Sequence, residues 1–190
     1  MRIRFASTIA VLVLAACNRS PTISATNATA ADVATKIAAA GGTESFVRPG
    51  KWSTTVTIDD MSAPDLPPQV QAQMKQHMSM SHATETCMTP EQAKKPTAEM
   101  FNGAAANCRY DRFAMGGGKL DMVMRCTAGS EGETGSQQMA VTGTYDSDHY
   151  QMAMTSTTES AKGTMGAMSM KMHLTAKRIG DCTAAKTKGN

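Results

Sequence analysis

The stretch that decides the fold is CRYDRFAMGGGKLDMVMRCT, residues 108–127. Three glycines, Gly116 to Gly118, stand in its middle, and the segments on either side alternate apolar and polar residues. A glycine-rich break between two alternating segments is typical of a β-hairpin. We therefore predict two antiparallel strands, residues 108–115 and 119–127, joined by a tight turn.

Four cysteines lie in the body of the chain, an even number that is typical of two disulfides when a protein is exported. Centring the turn on Gly117 places Cys108 directly opposite Cys126, and directly opposed residues of paired strands lie within disulfide reach. We predict this pair, which leaves Cys87 to join Cys182. The absence of a C-x-x-C motif gives little support to a zinc site or a thioredoxin-type redox pair.

The same register contains one conflict. It sets Arg112 opposite Met122, on the face that the alternation predicts to be buried. Either Arg112 lies at the rim of the sheet or a bulge intervenes in its strand.

Alternation recurs along the rest of the chain. In residues 51–59 the side chains of Trp52, Val56 and Ile58 share one face, which is the pattern of a half-buried strand. Further strands are predicted at residues 83–88, 138–145, 150–157 and 165–178. We expect a mainly β fold: an antiparallel meander of six or seven strands, curled or barrel-like, stapled by disulfides.

One or two short helices complete the predicted β domain, and a further one can form in the segment before it. Residues 30–40 can form a helix that the next two glycines end, and residues 69–80 have the pattern of a polar amphipathic helix. Thr89, with Gln92 three residues later, has the pattern of a capping box at the start of another short helix.

The first 16 residues resemble a signal peptide. Arg2 and Arg4 form a basic start, and the apolar stretch after them is shorter than the about 20 residues that a membrane span needs. The stretch ends in L-A-A-C at Cys17, which resembles the lipobox of bacterial lipoproteins, where the cysteine is acylated and becomes the new N-terminus. The simpler alternative is an ordinary cleaved signal with an incidental cysteine.

We therefore expect a lipoprotein of the bacterial cell envelope that faces the periplasm, with the membrane as its partner through acyl chains on Cys17. Asn18 is not the Asp that resembles an inner-membrane retention signal, which favours the outer membrane. Loss of residues 1–16 removes two arginines and lowers the formal net charge from +3 to +1. Nothing in such a chain suggests a nucleic-acid partner, which would need a basic face.

The predicted domain organisation has four parts. Residues 1–16 are the signal peptide, residues 17–45 a lipidated tether with a possible short helix, residues 46–182 the β domain, and residues 183–190 a disordered tail. The prediction of a tether rests on residues 18–29, which contain few large apolar side chains.

The chain has 17 methionines and only four phenylalanines, so methionine fills positions where a core usually holds leucine or valine. By parity, one face of each predicted strand is apolar and the other is polar. The apolar face can be a packed core, or a curved sheet lined by flexible side chains can enclose an apolar ligand, as in lipocalin-like barrels. The candidate core or ligand-facing residues are Trp52, Met122, Met124, Met139, Met152, Met154, Met168, Met170 and Met172.

A soft metal is the alternative occupant, because thioethers select Cu(I), usually with a histidine or with several methionines that converge on one point. By parity His149 and His173 point away from the methionine faces of their strands, so those strands make a poor mixed site. The better candidate for copper is the segment MKQHMSMSH, with Met74, His77, Met78, Met80 and His82. A third interpretation is that surface methionines scavenge oxidants through reversible sulfoxide formation.

Catalytic signatures are absent from the sequence. It contains no G-x-S-x-G, no H-E-x-x-H and no carboxylate pair with a partner histidine nearby. The segment G-G-G-K-L at residues 116–120 lacks the spacing of a phosphate loop, and D-S-D at residues 146–148 lacks the rest of an EF-hand loop. We predict a non-enzymatic protein without a cofactor, whose partner is an apolar small molecule or an envelope protein.

Three short motifs resemble a bacterial family of exported proteins, the domain of unknown function numbered 3617 (DUF3617). They are P-G-K-W at residues 49–52, C-M-T-P-E at residues 87–91 and K-R-I-G-D-C at residues 177–182. The resemblance covers residues 46–182, and Lys51 departs from the bulky apolar residue that is commoner at its position. It implies the limits of the domain, methionine-rich strands and an envelope location. It implies no chemistry, because the family has no agreed activity or catalytic residues.

Overall fold

The computed structural model describes residues 21–78, 81–94, 107–128, 135–160 and 166–182, and within them one antiparallel sheet of eight strands. The strands are β1 (Ile23–Ala28), β2 (Gly50–Ser62), β3 (His82–Met88), β4 (Cys108–Gly116), β5 (Lys119–Ala128), β6 (Gly135–Tyr145), β7 (His149–Ser160) and β8 (Met168–Gly180). The helices are α1 (Ala30–Ala39), α2 (Pro68–Met78) and α3 (Pro90–Lys94), with a 3-10 turn at Thr43–Ser45.

The sheet curls until distant strands face one another. The strand order is β1-β4-β5-β6-β7-β8-β2-β3, so β4 and β3 would lie roughly 29 Å apart in a flat sheet whose strands are about 4.8 Å apart. Met115 on β4 and Met88 on β3 nevertheless line the same cavity. Within the described ranges β1 and β3 do not pair with each other, so the sheet is curled and open rather than a closed barrel.

The predicted mainly β, antiparallel and disulfide-stapled fold is confirmed. The described part of the chain holds one strand more than the largest number predicted, and helices lie at all three of the helical segments of the sequence. The capping box of α3 is also confirmed, because the Thr89 N–H donates to Gln92 Oε1 at 2.9 Å and the Gln92 N–H donates to Thr89 Oγ1 at 3.2 Å.

Helix α1 forms the second layer of the fold. It contacts β1 and β4, and Val33 and Ile37 on its apolar face are 0% and 1% exposed. Its start is fixed by a capping box between Thr29 and Asp32. Its end is fixed by the following glycines: Gly42 has φ +80°, and a Cβ there would lie only 2.4 Å from the Ala93 carbonyl oxygen.

The prediction of a tether at residues 18–29 is wrong for residues 23–28. These residues form β1, which pairs with β4 from Ile23 opposite Met115 to Ala28 opposite Tyr110. Both ends of this strand, Ile23 and Ala28, are buried. Because β1 and α1 contribute to the sheet and the core, the folded part of the described chain extends before residue 46, where the β domain is predicted to start. The predicted signal peptide, Cys17 and the predicted tail lie outside the described residues.

A bulge resolves the conflict at Arg112. Tyr110 pairs with Met124 but Arg112 pairs with Val123, so the register shifts between these two residues of β4. Arg112 thereby leaves the buried face and donates to Asp121 Oδ1 at 3.0 Å. Of the two predicted explanations for Arg112, a position at the rim or a bulge in its strand, the bulge is confirmed.

Both predicted disulfides are present. Cys108 and Cys126 are directly opposed, with their Cα atoms 4.0 Å apart. Cys87 on β3 joins Cys182, which follows β8, with Cα atoms 5.7 Å apart. The second bridge ties the edge of the sheet to the end of the described chain.

In the described ranges, no helix is long and apolar enough to cross a membrane. The longest, α2, has 11 residues and follows the proline-rich turn after β2.

Because α1 is a structural layer rather than part of a tether, Ile37→Ala should lower the free energy of unfolding by about 2–5 kcal/mol through loss of buried volume. Thr35→Ala, on the exposed side of the same helix, should change it by no more than about 0.5 kcal/mol. Urea unfolding followed by circular dichroism measures both. Equal effects of the two substitutions would contradict the packing of α1 in the core.

Candidate functional site

The face of the sheet that packs against α1, here called the inner face, divides into two halves. Under α1, buried side chains from β4, β5 and β6 form one core with the helix: Tyr110, Phe113, Met122, Met124, Val141 and Tyr145. On β7, β8 and β2, Trp52, Met61 and Ala176 are buried, but most apolar side chains of the same face are only half-buried: Val56, Ile58, Met152, Met154, Met168, Met170, Met172 and Leu174. The predicted apolar face is therefore a packed core in one half and partly open in the other.

The predicted residues fall on both sides of this division. Trp52, Met122 and Met124 are buried, and Met122 and Met124 belong to the core under α1. Met139 is half-buried and packs against the core from β6. Within the described chain, Met168, Met170 and Met172 lie on the inner face but outside this core cluster.

A cavity of about 560 Å³ opens at one end of the inner face. Trp52 and Tyr150 form one wall, with ring centroids 5.3 Å apart, and the Trp52 indole N–H donates to the Arg48 carbonyl at 3.1 Å. The cavity is lined by Thr43, Val47, Trp52, Thr86, Cys87, Met88, Gln92, Met115, Tyr145, Tyr150 and Met152. The curl of the sheet creates this cavity, because it brings Met115 of β4 close to the lining residues of β2 and β3.

The segment between α1 and β2 holds the end of the cavity in place. Thr43 Oγ1 donates to the Ala93 carbonyl at 3.1 Å, and Phe46 packs edge-on against Tyr145 with centroids 5.9 Å apart. The Arg48 N–H donates to the Ser147 carbonyl at 2.9 Å. The segment thus bridges α3 and the β6–β7 turn, and it carries Val47 to the cavity.

A glycine makes room for one cavity residue. Gly143 on β6 lies opposite Met152 on β7, and a Cβ at Gly143 would lie 2.3 Å from Met152 Sδ. Met152 can therefore fold across β6 only because its neighbour has no side chain.

The half-buried apolar side chains continue from the cavity in cross-strand rows. Paired residues of antiparallel strands share one face. Met152 at the cavity pairs with Leu174, which pairs with Val56, and the next row is Met154, Met172 and Ile58. These two rows form a strip three strands wide, here called the apolar strip, that adjoins the cavity.

The cavity is uncharged. Among the described residues that line it none is ionic, and its polar side chains are Thr43, Thr86, Gln92 and the tyrosine hydroxyls. Burial raises the pKa of the Tyr145 hydroxyl, so this group stays neutral at physiological pH. Such a lining suits an apolar molecule better than an ionic one.

The segment predicted to bind copper lies away from the cavity lining. Met74 is half-buried on α2, His77 is exposed near the end of that helix, and His82 is exposed at the start of β3. The side chains of Met78 and Met80 lie outside the described residues. The described ranges hold no group of three or more His, Cys, Asp or Glu that could bind a metal, and copper binding by this segment stays a prediction.

The two histidines predicted to point away from the methionine faces have carboxylate partners. His173 Nδ1 lies 2.6 Å from Asp59 Oδ1, and His149 Nδ1 lies 3.5 Å from Asp146 Oδ1. Both side chains are exposed.

Sequence reasoning missed several cavity residues, which are Val47, Thr86, Met88, Gln92 and Met115. Met88 ends β3, Met115 is the last residue but one of β4, and both share the parity of the inner face, which is a weak signal. Val47 and Gln92 lie outside any strand, and only the curled fold brings them to the cavity.

The family model described as "Protein of unknown function (DUF3617)" matches residues 47–182 of the chain. The chain belongs to the DUF3617 family. No curated protein and no solved structure matches it. The DUF3617 match spans β2 to β8 and every described cavity residue except Thr43, whereas β1 and α1 precede it. The cavity of this chain therefore lies almost wholly within the matched residues. The core of the fold also includes residues of β1 and α1, which precede the match.

An ion pair between Arg48 and Asp148 joins the segment between α1 and β2 to the β6–β7 turn. In this pair Arg48 Nε donates to Asp148 Oδ1 at 3.0 Å. The hydrogen bond from Arg48 lowers the pKa of Asp148, whereas backbone N–H groups of Asp148 and His149 lower the pKa of Asp146. Ionised Asp148 therefore makes its full contribution to the stability of the fold above the ordinary aspartate pKa of about 3.9. This contribution is lost as the pH falls through the lowered pKa.

Arg48→Gln should raise the pKa of Asp148 towards its ordinary value and leave the pKa of Asp146 unchanged, since the backbone donors remain. An NMR titration of the two carboxyl groups measures both shifts in one experiment. Equal shifts of Asp146 and Asp148, or no shift of Asp148, would contradict the role of Arg48.

Proposed function

We propose that this DUF3617 protein binds an apolar small molecule, without catalysing a reaction, in the cavity and along the apolar strip. The observation that carries the proposal is the uncharged cavity of about 560 Å³ with its aromatic and methionine lining. Small-molecule pockets usually have volumes of about 300–1,000 Å³ and combine an apolar lining with a few polar groups.

The side chains of the site favour an elongated and variable ligand. Methionine is unbranched and has three rotatable bonds, so it adapts to ligands of different shape. Met152, Met154 and Met172 extend the apolar surface from the cavity along the strands. We therefore propose a hydrocarbon chain as the ligand, such as the acyl chain of a fatty acid or lipid, because each buried CH₂ contributes about 0.8 kcal/mol.

We also propose that the protein is a lipoprotein of the bacterial envelope, anchored through Cys17 and facing the periplasm. Ile23 pairs with Met115, a cavity residue, so the described chain enters the sheet at the cavity end. Six residues from Cys17 to Ile23 span at most roughly 20 Å. An anchor at Cys17 would therefore hold the mouth of the cavity close to the membrane surface, where apolar chains are abundant.

Binding can be followed through Trp52, which is the single tryptophan of the chain and lies in the cavity wall. Titration of the Cys17→Ser protein with a long-chain fatty acid should change the Trp52 fluorescence and reach saturation. Met152→Gln should weaken this binding by about tenfold or more, because about 1–3 kcal/mol is lost when an amide is buried without a partner.

Ala153→Gln is the matched control, since Ala153 is the next residue of β7 and is exposed on the opposite face. It should leave the affinity unchanged. Absence of a saturable signal, or equal weakening by the two substitutions, would overturn the proposed binding site.

The anchor has a separate test. Cys17→Ser should move the protein from the membrane fraction to the soluble periplasmic fraction, because the acylated sulfur is removed. Asn18→Asp keeps the cysteine and should leave the protein in the membrane fraction. Cell fractionation with immunoblotting measures both, and an unchanged distribution of the Cys17→Ser protein would contradict the anchor.

A further inference from the structure

A second feature of the inner face lies beyond the cavity, where methionines from four strands surround one small residue. Ser156 on β7 has Met139 of β6 directly opposite on one side and Met170 of β8 directly opposite on the other. Met170 in turn pairs with Met61 of β2. Three thioether side chains therefore share one cross-strand row with a serine between them.

The neighbouring row adds two more thioethers. Met154 and Met172 are directly opposed on β7 and β8, and each lies two residues from the row of Ser156. Directly opposed Cβ atoms lie about 4.5–5.5 Å apart and diagonal neighbours about 7–8 Å apart, so Met154, Met170 and Met172 lie within reach of one another. Met139 flanks these three on β6, and Met61 flanks them on β2. The five methionines, here called the thioether cluster, are Met61, Met139, Met154, Met170 and Met172.

The thioether cluster is accessible and has a small polar floor. Met61 is 3% exposed, whereas Met139, Met154, Met170 and Met172 are only half-buried. Ser156 is shorter than its neighbours, so the row is concave at its centre, and the Ser156 hydroxyl accepts a hydrogen bond from Gln137 Nε2 at 3.2 Å. The cluster thus combines four half-buried thioether side chains with one small polar residue.

We propose that the thioether cluster is a binding site for a soft monovalent metal ion, Cu(I). Thioethers are soft, neutral ligands that select Cu(I) over the harder divalent ions, and several of them converging on one point replace the histidine of a mixed site. His173 binds Asp59 on the opposite face and takes no part. This site differs from the Met74–His82 segment and lies further along β7 than the cavity residue Met152. It shares Met154 and Met172 with the far row of the apolar strip.

The proposal is tested by titrating the intact protein with Cu(I) under anaerobic, reducing conditions against a chromophoric Cu(I) chelator. One equivalent of Cu(I) should be withdrawn from the chelator. The triple variant Met154→Leu, Met170→Leu and Met172→Leu removes three sulfur atoms while conserving side-chain volume. Loss of a group that only supports a metal ligand typically weakens metal binding about 10- to 100-fold. Loss of three sulfur ligands should weaken Cu(I) binding by at least as much.

Two control variants make the outcome specific. Met122→Leu with Met124→Leu removes two sulfur atoms from the buried core under α1 and should leave Cu(I) affinity unchanged. Met74→Leu with His77→Ala and His82→Ala disables the other candidate segment and should also leave it unchanged. X-ray absorption of the Cu(I)-loaded protein should show sulfur neighbours and no nitrogen neighbours.

Failure of the protein to compete with the chelator would overturn the proposal. Loss of Cu(I) in the Met74, His77 and His82 variant with retention in the Met154, Met170 and Met172 variant would also overturn it and assign the metal to α2 and β3. Neither result would bear on binding of an apolar molecule, which the Trp52 titration measures separately.

Discussion

Packing of α1 against the curled sheet is the interaction on which the rest of the structure depends. An antiparallel sheet buries its apolar face only where a second layer covers it. Here Val33 and Ile37 cover the inner face of β1, β4, β5 and β6, while β7, β8 and β2 keep a half-buried apolar surface. The same curl that wraps the sheet around α1 brings β3 and β4 together at the cavity. Core and cavity are thus two consequences of one arrangement.

The use of methionine gives this partly covered surface its chemical character. Leucine in the same positions would supply apolar area alone, whereas methionine adds flexibility and a soft sulfur donor. Near the cavity, Met152 folds over Gly143 beside Trp52 and Tyr150, which suits a hydrocarbon chain. Around Ser156 the methionines face one another across strands, which suits a soft metal ion. One residue type therefore supports two different kinds of site on one face.

Local patterns in the sequence predict the strands and the disulfides well, because alternation and turn residues act over short distances. The Cys108–Cys126 pair is correct although two details of its derivation are not. The turn is formed by Gly117 and Gly118 together, which shifts the register by one residue, and the bulge near Arg112 shifts it back. Strand β1 was not predicted because Ile23 is its only large apolar residue, and its place is set by pairing with β4. The division of the methionines into covered and half-buried groups also depends on where α1 packs, which no local pattern records.

The central claim is that the inner-face cavity holds an apolar molecule. Native mass spectrometry of the intact protein, purified without detergent from its own cell envelope, tests this claim most directly. The account predicts a bound mass that corresponds to a fatty acid or lipid and that is released when organic solvent unfolds the protein. A protein mass without any bound organic molecule, retained after incubation with an excess of long-chain fatty acid, would contradict it.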